Sequence, residues 1–99
     1  MAVDVQIDEK IKIERKEPSK YNVLFLNDDQ TPMDWVIGLL TDIFKHSRTT
    51  AEELTLKIHH EGSACVGTYT FEIAEQKTIE SINLSRGQGF PLNVKVEEA

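Results

Sequence analysis

The chain has 99 residues, 39% of them hydrophobic and 28% charged, a balance that suits a single soluble domain with one core. Its formal charge of −6 argues against a phosphate backbone as partner, and no Lys/Arg cluster overrides it locally. No run approaches the roughly 18 apolar residues of a membrane span, Met1–Lys20 lacks the apolar stretch of a signal peptide, and the single cysteine, Cys65, has no internal disulfide partner, which suits a reducing cytoplasm.

The first 17 residues read as an arm ahead of a domain spanning 18–99, with Glu17-Pro18-Ser19-Lys20 as the break. Within the arm, Val3, Val5 and Ile7, then Ile11 and Ile13, alternate with polar residues, so both a short extra strand and a charge-rich tail stay open. Tyr21–Leu26 is apolar on both faces and predicts an interior strand, stopped by the turn composition Asn27-Asp28-Asp29-Gln30. A helix follows, with Thr31 expected as N-cap, Pro32 at its first position and Asp34 near the free N–H groups. Trp35, Val36, Leu39, Leu40, Ile43 and Phe44 form its buried stripe.

Thr49 with Glu52, or Thr50 with Glu53, predicts a capping box for a second helix, whose inner face is Ala51, Leu54 and Ile58 and whose stop is Gly62. Residues 64–72 alternate as a strand, with Cys65, Gly67, Tyr69 and Phe71 on one side. Cys65 there reads as a small buried hydrophobe. Ile79 and Ile82 mark a third helix over about 74–86, ended by Gly87, and Pro91 precedes a last strand through Leu92, Val94 and Val96. The order β-α-α-β-α-β predicts an α+β single domain, a three-stranded antiparallel sheet covered by three helices.

Two polar clusters could carry chemistry. Asn27, Asp28, Asp29 and Thr31 sit between strand end and helix start, where turn and cap chemistry is the favoured explanation from local sequence alone. His59 and His60 end the second helix, where a cation also complements the helix dipole. Adjacent helical residues point about 100° apart, so the two imidazoles do not share a metal, and no metal site or cofactor is expected. Nothing marks Cys65 as an activated thiol, and there is no glycine-rich phosphate loop and no G-x-S-x-G elbow, so an enzyme is not expected.

The run Tyr21-Asn-Val-Leu-Phe-Leu-Asn27-Asp28-Asp29-Gln30-Thr31-Pro32-Met33-Asp34-Trp35-Val36 resembles the signature of the ClpS adaptor family. Ile58-His59, the segment Val66–Lys77 and Pro91-Leu92 resemble further parts of that family's pattern, so the likeness runs from about Pro18 to the C-terminus. It implies a monomeric, non-enzymatic cytoplasmic adaptor. Its expected ligands are proteins with a free N-terminal Phe, Leu, Trp or Tyr, and its expected partner is the N-terminal domain of a Clp-family AAA+ unfoldase.

By that resemblance Asn27 and His59 accept hydrogens from the α-amino group and Asp28 adds negative charge, while Asp29 and Thr31 support the turn and the peptide's first amide. Met33, Val36, Thr55, Ile58 and Leu92 line the pocket for the first side chain, and Glu72, Lys77 and His60 meet the unfoldase. Thr55 stands where the family usually has a gating Met, which implies altered selection against β-branched residues. Family arms engage the unfoldase, so removal of residues 1–16 is expected to block delivery and spare binding. The alternative is a small α+β structural or ribosome-associated module with no such pocket. A small hydrolase would need a nucleophile that the sequence does not offer.

Overall fold

The most apolar β-rich run of the chain takes the one place in the sheet with neighbours on both sides. In the computed structural model, which describes residues 19–99, β1 (Lys20–Leu26) is followed by α1 (Met33–Asp42), α2 (Arg48–Glu61), β2 (Ser63–Thr70), α3 (Phe71–Gly87) and β3 (Asn93–Glu98). The strands form an antiparallel sheet in the order β2-β1-β3. This is the predicted α+β architecture. The arm and its alternating residues lie outside the described residues.

Register explains the two faces of the sheet. Tyr21, Val23 and Phe25 pair with Tyr69, Gly67 and Ala64 on one side, and Val23 and Phe25 pair with Val96 and Val94 on the other. Val23 and Phe25 are fully buried, and Phe25 meets Phe44 edge to face with centroids 5.4 Å apart. On the outer face Asn22 accepts a 2.7 Å hydrogen bond from the hydroxyl of its cross-strand partner Thr68.

The alternation predicted for β2 does not run through. Val23 pairs with Gly67 but Leu24 pairs with Cys65, so Val66 is an extra, bulged residue, and it is buried. The bulge turns Cys65 outward while Gly67 and Tyr69 keep to the core side. Cys65 is therefore exposed, not a buried small hydrophobe, and its thiol donates weakly to the Gly67 carbonyl at 3.5 Å. Gly67 leaves room for the Tyr69 ring. A Cβ there would lie 2.6 Å from Cε2 and 2.7 Å from Cζ of Tyr69.

Both predicted helix starts shift. Thr31 is not the cap of α1: Pro32 holds that position in extended conformation, and the Thr31 hydroxyl donates instead to Asp28. α2 starts at Arg48 because Ser47 caps it, accepting from the Thr50 N–H at 3.1 Å, so the Thr49 and Thr50 capping boxes do not form. Gly62 ends α2 at φ 92°, as its sequence position predicts. α1 ends without a glycine. Lys45 takes φ 62° and the His46 N–H bonds the Leu40 carbonyl at 3.0 Å.

α3 begins at Phe71, three residues before the predicted start, so Phe71 and Glu72 are helical and not part of β2. It lies against all three strands along a line of small residues, Ala74, Ser81 and Ser85, each fully buried. The serine hydroxyls are satisfied by the carbonyls four residues back, Lys77 and Ser81, both at 2.8 Å. Ile79, expected to mark the inner face, is exposed, and Ile82 is half-buried. Close approach of helix to sheet favours small side chains there, and hydrophobicity alone misreads the face.

Candidate functional site

The end of β1 and the end of α2 come together through the backbone. The Asn27 N–H donates to the Gly62 carbonyl at 2.9 Å, and the Gly62 N–H donates to the Ile58 carbonyl at 2.9 Å. The first residue of the Asn-Asp-Asp turn is thereby joined to the last turn of α2, which carries His59. Asn27 and His59 are both exposed, and the His59 and His60 rings meet edge to face with centroids 5.3 Å apart.

Asp28 organises the loop that follows. One carboxylate oxygen accepts from the Gln30 and Thr31 N–H groups, each at 2.8 Å, and the other accepts from the Thr31 hydroxyl at 2.8 Å. These bonds form an Asx-type turn that carries the chain from strand to helix. Partial burial pushes the Asp28 carboxyl up, but the bonds from Gln30 and Thr31, with help from the positive charge of Arg86, outweigh it and hold the group below its ordinary value. Asp28 is thus an anion at neutral pH with most of its acceptor capacity spent inside the loop. Asp29 is exposed and Thr31 half-buried beside it.

The apolar set is mostly part of the core. Val36, Ile58 and Leu92 belong to one buried cluster, at 7%, 4% and 1% exposure, and Thr55 is 3% exposed with its hydroxyl donating to the Ala51 carbonyl at 2.8 Å. Met33 differs: it opens α1 and is 39% exposed. Of the five residues assigned to the pocket, Val36, Thr55, Ile58 and Leu92 are thus buried and Met33 alone is exposed.

The residues assigned to unfoldase contact do not form one set. Glu72 and His60 are exposed. Lys77 instead turns inward. Its ammonium donates to the Ile43 carbonyl at 2.7 Å and lies 5.7 Å from the Phe44 ring centroid and 5.3 Å from that of Tyr69.

Other contacts had no local signal in the sequence. His46 Nε2 is 2.6 Å from the Val66 carbonyl, bracing the bulge, and Trp35 Nε1 donates to the Ser85 hydroxyl at 2.8 Å. Burial, together with the nearby Cys65, pushes the Tyr69 phenol up. Among the described residues no three His, Cys, Asp or Glu side chains gather as metal ligands, and no helix is long and apolar enough to cross a membrane.

Residues 16–95 match the family described as ATP-dependent Clp protease adaptor protein ClpS. The chain belongs to the ClpS family. Among similar proteins, the ClpS of Treponema denticola is 44% identical over 82 residues, covering 83% of this chain and 81% of its own. That of Shewanella halifaxensis is 44% identical over 94 residues, covering 95% and 92%. The solved structure of Agrobacterium tumefaciens ClpS2 bound to L-phenylalaninamide superposes with a TM-score of 0.81 at 36% identity, covering 84% of this chain and all of the other. Membership of ClpS makes this chain an adaptor of the Clp protease, with that protease as its partner.

Proposed function

We propose that this adaptor captures proteins by a free N-terminal Phe, Leu, Trp or Tyr and hands them to a Clp-family AAA+ unfoldase without itself carrying out chemistry. One observation carries the reading: the likeness to a ClpS2 solved with L-phenylalaninamide, a molecule that joins a free α-amino group to a large apolar side chain.

The chemistry of such a ligand asks for two neighbouring environments. An α-amino group, with a pKa of about 8, is cationic at neutral pH and needs acceptors and negative charge. Asn27 and His59 supply the acceptors in this reading, and a neutral imidazole is required for that role. Asp28, with its oxygens already bonded, acts by its charge. Asp29 and Thr31 keep the turn in shape for the peptide's first amide. Val36, Thr55, Ile58 and Leu92 receive the side chain, and exposed Met33 forms the rim. The gating that resemblance assigned to position 55 fits Met33 better, because a gate must stand at the surface and Thr55 is 3% exposed.

Burying one Leu or Phe side chain contributes about 1.5–3 kcal/mol and each charge-assisted hydrogen bond about 1.5–3 kcal/mol. Together, less ordering costs, they suit an affinity of roughly micromolar, and neither suffices alone. Fluorescence anisotropy tests this directly. Peptides beginning with Phe and Leu are expected to bind and acetyl-Phe peptides not to bind, and His59→Ala is expected to weaken binding roughly tenfold. Equal binding of free and acetylated peptides would refute capture by the amine. In the same assay a gate at Met33 predicts that Met33→Ala relaxes rejection of Ile and Val, while Thr55→Met leaves that rejection unchanged.

For delivery, Glu72 and His60 offer exposed contacts to the unfoldase. Residues 1–17 are assigned to the same step, ahead of a domain at 18–99. A cytoplasmic monomer is the form in which such a carrier would work.

A further inference from the structure

We propose that Arg86 is a positioning residue of the capture site, holding the segment that carries Leu92 against α3; the proposal rests on the reading above, in which Leu92 lines the side-chain pocket. Leu92 is 1% exposed, yet it precedes β3 and lacks the support of a strand ladder. Pro91 beside it has no N–H to give. The chain reaches this point by a tight return after α3. The N–H groups of Gln88 and Phe90 bond the Ser85 carbonyl at 3.0 and 2.9 Å, and Gly89 sits at φ 83°.

The carbonyls of the next residues then find one donor. Arg86 Nη1 donates to Phe90 O at 3.1 Å and to Leu92 O at 2.8 Å. A single guanidinium nitrogen thus takes the place that a neighbouring strand would hold, fixing both ends of the Phe90-Pro91-Leu92 segment. The same segment is tied to α1. Trp35 donates to Ser85 at 2.8 Å and its ring meets Phe90 edge to face at 5.4 Å. α1 supplies Met33 and Val36, so Arg86 and Trp35 together set the width between that helix and Leu92. The guanidinium is also near enough to Asp28 for its charge to be felt there.

The amine-binding groups Asn27 and His59 are held separately, through Gly62. Loss of the Arg86 bonds should therefore loosen selection for the side chain before it touches the demand for a free amine. Both bonds come from one nitrogen, an arrangement that an ammonium can imitate, so Lys is the conservative replacement.

The test compares wild type, Arg86→Gln and Arg86→Lys as full chains, by fluorescence anisotropy with peptides beginning with Phe, Ala and acetyl-Phe. Emission of Trp35, the only tryptophan, reports the fraction folded. Arg86→Gln is expected to cut the preference for Phe over Ala at least fivefold while keeping the preference for free over acetylated Phe, and Arg86→Lys to recover most of the loss. An unchanged Phe preference in Arg86→Gln would overturn the proposal, as would a loss of binding that merely follows the fraction folded. A wild-type chain indifferent to both features sinks the capture reading and this role with it; a selective wild type beside an equally selective Arg86→Gln sinks only the role of Arg86.

Discussion

Asp28 organises its loop, and in the proposed capture the same carboxylate lends its charge to the ligand's amine. Three hydrogen bonds converge on its carboxylate within the loop that joins β1 to α1. Asp28→Asn keeps one acceptor oxygen but loses the charge and turns the second oxygen into a donor, facing the Thr31 hydroxyl. Bonds to a charged acceptor contribute about 1.5–3 kcal/mol when shielded; solvent screening at this half-exposed loop reduces the expected loss to about 1 kcal/mol. The pH dependence follows from the direction of the shift. The folded carboxyl is held below its ordinary value, so its contribution is present in full above the unfolded value and is lost as pH falls through the folded one. Urea melts followed by Trp35 emission should give a stability gap between wild type and Asp28→Asn that is constant from pH 5 to 7 and closes below about pH 4. A gap of unchanged size throughout the acid limb would show that the charge is not its source.

At the scale of elements, the caps decide where the helices begin, and α2 makes the sharpest case. Ser47 bonds the Thr50 N–H, whereas Thr49, an equally good capping residue by type, lies inside the helix and is exposed. Ser47→Ala is expected to cost about 1 kcal/mol and Thr49→Ala less than about 0.5 kcal/mol, measured by thermal or urea unfolding. Equal costs would mean that the cap is not where the hydrogen bond puts it. Three residues past the end of α1, Lys45 lies in the left-handed region, a conformation that a glycine adopts without strain. Its position is set by the His46–Leu40 and His46–Val66 bonds, so tertiary contacts hold the strained residue in place.

For the whole molecule, Lys77 is the join between layers. Its ammonium caps the end of α1 at Ile43 while its stem belongs to α3, and the Phe44 and Tyr69 rings flank it from α1's end and β2. Lys77→Met keeps the stem and removes the donor, leaving the Ile43 carbonyl without its partner. The expected loss is about 1–3 kcal/mol in unfolding free energy. Any effect of Lys77→Met on delivery to the protease should then track the folded fraction, whereas Glu72→Ala should change delivery at unchanged stability. A Lys77→Met protein of wild-type stability that fails in delivery would restore Lys77 as a direct contact.

Periodicity, turn composition and the Asn-Asp-Asp-Gln-Thr-Pro-Met run were enough to read six elements in their correct order, the central place of Tyr21–Leu26 and membership of the ClpS family. Those properties depend on neighbours within about four residues, or on a motif written contiguously in the chain. Other features came only with the fold: Cys65 on the outer face, Lys77 turned inward, small serines and not Ile79 against the sheet, and Arg86 bonded to the Leu92 carbonyl. The physical reason is that a bulge shifts every later side chain of its strand, and a carbonyl left without a ladder partner takes whichever donor tertiary packing brings near. Local pattern specifies which backbone segments form, while the partners of their unpaired polar groups are chosen by residues 20, 34 and 50 positions away.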